Sequence, residues 1–141
     1  RVYLTGYSQG GFLSAAYAKD FPEKIAAVAA VSPAFADNVD PSTNDFCDIE
    51  RVPLWFFHAT NDEVIPFNNT IKVYRAILDN CQALTIPKLS LVIGAEHAIH
   101  HAVFNLEALE GGFAQAVYDP RFDTYDMSIY QWLLSQSLIN R

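Results

Sequence analysis

Near its start the chain crowds three glycines around a serine, in the run Gly6-Tyr7-Ser8-Gln9-Gly10-Gly11. A short apolar run, Val2–Thr5, precedes it, and a segment reaching about Lys19 follows, with Phe12, Leu13, Ala16 and Tyr17 on one face at i, i+4 spacing. The chain must therefore pass from strand to helix within a few residues. Glycines two residues either side of Ser8 let the two backbones approach without Cβ clashes. Composition alone produces G-x-S-x-G in about one chain in twenty of this length, so the pattern gains meaning from its place between a strand and a helix. There the serine sits on a sharp, strained turn, its hydroxyl clear of the sheet edge, facing the positive end of the helix that follows.

The rest of the chain alternates short apolar runs with longer amphipathic ones, the pattern of a parallel sheet covered by helices. Ile25–Val31 is continuously apolar and reads as a strand buried on both faces. Asp37–Asp48 is a polar loop without the spacing or the bidentate Glu of a calcium-binding EF-hand. Pro53–His58 is a strand, and Asn69 or Thr70 caps a helix whose stripe is Ile71, Tyr74, Ile77, Leu78 and Cys81. Leu89–Ile93 is a further strand. A last helix from about Tyr125 to Leu138 turns Met127, Tyr130, Leu133 and Leu134 inward. The expectation is an α/β fold with a mostly parallel sheet of about four strands and flanking helices.

A net charge of -7, with nine basic residues scattered singly, argues against nucleic acid as a partner, since phosphate backbones attract clustered Lys and Arg. No apolar run reaches the roughly 18 residues that a membrane-spanning helix needs. Cys47 and Cys81 lack metal-ligand spacing, and both a disulfide and two free thiols fit the sequence. Asn68-Asn69-Thr70 has the form of an N-glycosylation acceptor, although helix capping explains it equally.

A hydroxyl is a poor nucleophile at neutral pH and needs a base that is itself oriented by a carboxylate. Behind a nucleophile turn of this kind the chain order is Ser, then Asp or Glu, then His. Asp37, Asp40, Asp45, Asp62 and Glu63 are candidates for the acid, and His97, His100 and His101 for the base. His97 and His101 are four residues apart, but Glu96 precedes His97 instead of following it, so the H-E-x-x-H zinc pattern is not met.

Four segments carry a resemblance that covers nearly the whole chain. Arg1–Gly11 resembles the nucleophile strand and turn of α/β-hydrolases of the bacterial predicted-peptidase, polyhydroxybutyrate-depolymerase-like and feruloyl-esterase type. Pro53-Leu54-Trp55-Phe56-Phe57-His58-Ala59-Thr60-Asn61-Asp62-Glu63-Val64-Ile65-Pro66 is similar to their acid segment, Gly94-Ala95-Glu96-His97 to their histidine loop, and Tyr130–Gln136 to their closing helix. Two departures stand out: Ala59 replaces the glycine of a His-Gly pair, and His100 stands where family members usually carry an aromatic residue.

The resemblance implies a serine hydrolase acting on an acyl ester or similar small-molecule substrate without a cofactor. It implies Ser8 as nucleophile, His97 as base, Asp62 as the orienting acid and the Gln9 backbone N–H as one oxyanion donor. His58 would be structural. Acyl-protein thioesterases and cutinases also place Gln after the nucleophile, so a lipid esterase or thioesterase is an alternative, as is a serine peptidase. A non-catalytic binding module on the same fold is an alternative of another class. The first residue, Arg1, enters a strand directly, so residues 1–141 are expected to be the C-terminal half of the domain. Its N-terminal half, with a second oxyanion donor, is expected upstream, leaving this segment alone nearly inactive. Location is open, with export slightly favoured.

Overall fold

The computed structural model describes residues 1–106 and 117–138. Its sheet has five strands, Tyr3–Tyr7 (β1), Ala27–Val31 (β2), Leu54–Ala59 (β3), Lys88–Ile93 (β4) and Val117–Tyr118 (β5). They lie side by side in chain order. The first four are parallel, and β5 closes the row antiparallel to β4 through Val92↔Tyr118 and Ile93↔Val117. The helices are Gln9–Asp20 (α1), Phe67–Asn80 (α2), His100–Val103 (α3) and Ile129–Ser135 (α4), with a 3₁₀ turn at Cys47–Ile49. No helix among the described residues is long and apolar enough to cross a membrane.

Strand alternation divides the interior into two cores. On β2, Val28 and Ala30 enter one core, while Ala27, Ala29 and Val31 enter the other. On β3, Leu54 and Phe56 face the first core, which holds Ala15 and Ala18 of α1 and Val73 and Ile77 of α2. Trp55 and Phe57 face the second, with Ile99, Val103, Tyr125, Ile129 and Trp132. The three alanines of β2 keep this strand slim, which lets helices settle close on both sides. Trp55 makes edge-on contacts with Tyr125 and Trp132 at 5.6 and 5.4 Å, while its ring nitrogen donates to Ser90 Oγ.

Several expectations are corrected here. Among the described residues a fifth strand, β5, joins the about four that were expected; its two residues are too few for an alternating pattern to show. In α1 the buried residues are Gly11, Ala15 and Ala18, while Phe12, Leu13 and Tyr17 remain exposed at 38%, 60% and 44%. Small side chains let this helix lie close against β1 and β2, so the bulky stripe faces outward. α2 starts at Phe67 behind Pro66, so Asn69 and Thr70 lie inside its first turn and are buried. The last helix is shorter than expected. Ser128 caps it, its Oγ accepting from the Gln131 N–H while the Gln131 side chain accepts from the Ser128 N–H. Ile129, Trp132 and Leu133 turn inward, whereas Met127 and Leu134 are exposed. Cys47 and Cys81 are disulfide-bonded, tying the 3₁₀ turn to the end of α2.

Candidate active site

Gly6 creates the first requirement of the site. A Cβ there would stand 2.3 Å from the Gly10 carbonyl carbon and oxygen, so no other residue fits without moving the backbone. Gly10 itself has open space at its Cβ position, so the steric demand falls on Gly6 alone of the flanking pair. Between them Ser8 adopts φ 55° and ψ -116°, a costly conformation for a residue with a side chain. Three backbone bonds hold it: the Ser8 N–H donates to Val31 O (2.9 Å), and the N–H groups of Phe12 (3.1 Å) and Ala34 (3.0 Å) donate to Ser8 O. Ser8 occupies the N-cap position of α1 without capping it. Its hydroxyl turns instead toward a histidine.

That histidine is His97, whose Nε2 lies 3.2 Å from Ser8 Oγ, while its Nδ1 lies 2.6 Å from Asp62 Oδ2. A carboxylate oxygen only accepts, so Nδ1 carries the proton and Nε2 is left to accept from the Ser8 hydroxyl. Ser8 follows β1, Asp62 follows β3 and His97 follows β4, so all three stand at the same end of the parallel sheet. The loops that carry Asp62 and His97 are laced together. The Asn61 N–H donates to Ala95 O, and the Gly94 N–H donates to Thr60 Oγ1, at 3.0 and 2.9 Å. Gly94 makes the turn after β4 at φ 80°.

Asp62 has a fully buried side chain. Its Oδ1 accepts from the N–H groups of Val64 (2.9 Å) and Ile65 (2.8 Å). Its Oδ2 accepts from His97 and also from His58 Nε2 (3.0 Å). Burial alone would raise this carboxyl. The hydrogen bonds from His97, Ile65 and Val64, with His58 nearby, hold it below the usual carboxylate range. His58 moves below the ordinary histidine value, because desolvation in the core outweighs the attraction of Asp62.

The other candidates fall outside this chain of bonds. Asp37 accepts from Asn69 Nδ2, and Asp40 from the Ser42 hydroxyl. Asp45 and Glu63 are exposed. His100 lies flat on the Tyr7 ring at 3.9 Å and His101 tilts against His100 at 4.0 Å. Stacking on Tyr7 is what an aromatic side chain would do at position 100. Burial first, then His101 and His97, shift His100 below the usual histidine range.

Sequence reasoning missed three contributors. Ser32, fully buried at the end of β2 with φ 43°, donates its hydroxyl to the His97 carbonyl at 3.0 Å. Tyr125 and Tyr130 donate to the carbonyls of Val103 and Phe104, pinning the end of α3 and with it the histidine loop. Burial raises the Tyr125 phenol to about 12, so it remains a donor across the physiological range. A lone Ser and two aromatic residues carry no pattern that would have announced these contacts.

Beside His97 an open cleft of about 740 Å³ is lined by Tyr7, Thr60, Asn61, Asp62, Val64 and Glu96, among others. A smaller apolar cavity of about 200 Å³ lies within the first core between α1 and α2, against Phe35, Phe56 and Ile77. The cleft, not the cavity, adjoins the imidazole. Among the described residues no three His, Cys, Asp or Glu side chains converge so as to hold a metal ion.

A family model described as the alpha/beta hydrolase fold matches residues 1–141. Among solved structures, a monoacylglycerol lipase from Paleococcus ferrophilus superposes with a TM-score of 0.55 at 18% identity, over 70% of this chain and 61% of that one. A thermostable esterase gives 0.55 at 22% identity, over 97% of this chain and 31% of the other. A predicted CIB-like hydrolase from Thermoplasma acidophilum gives 0.52 at 20% identity, over 71% and 43%. At these identities the shared property is the fold. This chain spans between 31% and 61% of the length of the three. No curated protein matches it.

Proposed function

Since the chain belongs to the alpha/beta-hydrolase fold family, we propose that it is a serine hydrolase that cleaves carboxylic ester bonds through an acyl-enzyme on Ser8. One observation carries this reading: an unbroken run of hydrogen bonds from Ser8 Oγ through the His97 ring to the buried Asp62 carboxylate.

His97 Nε2 takes the Ser8 proton as Oγ attacks the ester carbonyl. The proton then passes to the departing alkoxide, giving the alcohol. A water molecule, deprotonated by the same nitrogen, attacks the acyl carbon, and the acid leaves as Ser8 Oγ is reprotonated. Asp62 keeps the proton on His97 Nδ1 and stabilises the imidazolium that forms in each half. The Gln9 N–H, at the start of α1, donates to the oxyanion. The second donor of this reading lies in a loop outside residues 1–141. The Cys47–Cys81 bond supports work in an oxidising compartment.

The test is fluorophosphonate labelling of the full-length protein, with the adduct mapped to Ser8, beside hydrolysis of an ester panel of graded acyl length. Ser8→Ala should abolish labelling and lower kcat by at least about 10³-fold, and Asp62→Asn should cost about 10⁴-fold by favouring the wrong tautomer. A folded wild-type protein that neither labels nor hydrolyses any ester would leave the fold serving as a binding module. Residues 1–141 produced alone should react about 10²–10³-fold more slowly than the full-length protein, the usual cost of one oxyanion donor. Equal rates in that comparison would place the whole oxyanion site inside these residues.

A further inference from the structure

His58 presents a problem of placement. Leu54, Phe56 and His58 share one face of β3, and the first two fill the core there. An imidazole at the third position, fully buried, needs partners for both nitrogens. It has them. Nε2 lies 3.0 Å from Asp62 Oδ2 and 3.0 Å from Ile65 O, two atoms that only accept, so Nε2 carries the proton. Nδ1 lies 2.7 Å from Thr70 Oγ1, and in the neutral ring it accepts from that hydroxyl. Asp62 Oδ2 and Ile65 O thereby fix the tautomer, and Thr70 satisfies the other nitrogen. Ile65 closes a ring of bonds, giving its N–H to Asp62 Oδ1 and its carbonyl to His58 Nε2.

Two imidazoles therefore donate to one oxygen, His58 from inside the core and His97 from the site. We propose that His58 is a positioning residue, whose Nε2–H occupies one side of Asp62 Oδ2 so that the carboxylate presents its remaining acceptor direction to His97 alone. The proposal rests on the reading of Ser8, His97 and Asp62 as an acyl-transfer site. It extends that reading to a residue that touches no substrate and acts only through Asp62. Other titratable groups lie on the His97 side of Asp62: Tyr7, with its ring 4.8 Å from His97, and His100 and His101 beyond it. None of them touches Oδ2.

A merely structural His58, tying β3 to α2 through Thr70, would leave the proton on His97 Nδ1 undisturbed. The experiment therefore follows that proton by NMR in full-length protein labelled with ¹⁵N-histidine, alongside the rate at which a fluorophosphonate modifies Ser8. His58→Phe fills the space without a donor, whereas His58→Gln carries an N–H near the place of Nε2. In His58→Phe, exchange of the His97 Nδ1 proton with water should rise and Ser8 modification should fall, each about tenfold, as loss of a hydrogen bond to a charged group entails. His58→Gln should return both to within about threefold of wild type, since the donor is restored. A folded His58→Phe protein with both rates unchanged overturns the proposal, and so does a folded His58→Gln protein no better than Phe. Should the Phe protein fail to fold, the ¹⁵N spectrum of the wild type decides: His58 should carry its proton on Nε2, and a ring protonated on Nδ1 alone, which gives Oδ2 no donor from the core, overturns the proposal. A wild-type Ser8 that resists labelling would remove the hydrolase reading, while the exchange measurement would still decide for or against His58.

Discussion

Gly6 and Gly10 flank the same serine symmetrically in the sequence, yet the structure asks different things of them. A methyl group on Gly6 would press into the backbone of Gly10, whereas one on Gly10 meets nothing within 4 Å. Gly6→Ala should destabilise the protein by at least about 2 kcal/mol, because the atom it strikes is main chain that cannot swing aside. Gly10→Ala should be neutral or stabilise by up to about 1 kcal/mol, as Ala is the better helix former. Urea unfolding midpoints of the two variants measure this contrast. Ser8, Asp62 and His97 were legible at this scale because each lies in a segment with its own pattern. His58 was legible only as a structural residue, since nothing in a linear sequence shows that two imidazoles meet on one carboxylate oxygen.

Elements whose pattern belongs to the element itself were readable: β2, β3 and β4 fall within two residues of the expected strands. Faces were harder. In α1 the apolar stripe and the buried face differ, because close packing on β1 and β2 selects Gly11, Ala15 and Ala18 over bulkier neighbours. The start of α2 shifted because Pro66 already supplies a helix entry, which frees Asn69 to donate to Phe35 O and Thr70 to serve His58. Nor did spacing decide between a disulfide and two thiols. The bond closes a separation of 34 residues, which in the chain-entropy account stabilises the fold by about 4 kcal/mol. Cys47→Ser, or wild type under reducing conditions, should lower the unfolding free energy by a similar amount. Identical urea curves with and without reductant would contradict that.

For the molecule as a whole, the buried ionisable groups set how stability responds to acid. His58 is held below its ordinary 6.5, so the unfolded chain takes up its proton more readily than the folded one. Its contribution is complete above pH 6.5 and is lost as pH falls below that value. Asp62 is also depressed, from 3.8, so its contribution is present above that value and lost at still lower pH. Unfolding free energy should thus decline in two stages on acidification, the first beginning near pH 6.5. Denaturation series across this range should show the first stage diminished in His58→Gln. A stability flat from pH 7 to 5 would contradict the assignment of a neutral buried ring.

The sheet grows in the order of synthesis, each strand lying beside the one made just before it. On a ribosome the serine turn would emerge well before the imidazole that bonds its hydroxyl, which lies 89 residues further along. A nascent chain therefore carries a chemically ordinary serine until β4 has docked and its loop has swung into place. If Ser8 is the nucleophile proposed above, its reactivity becomes a late marker of folding, and the time at which it appears during translation dates the arrival of β4.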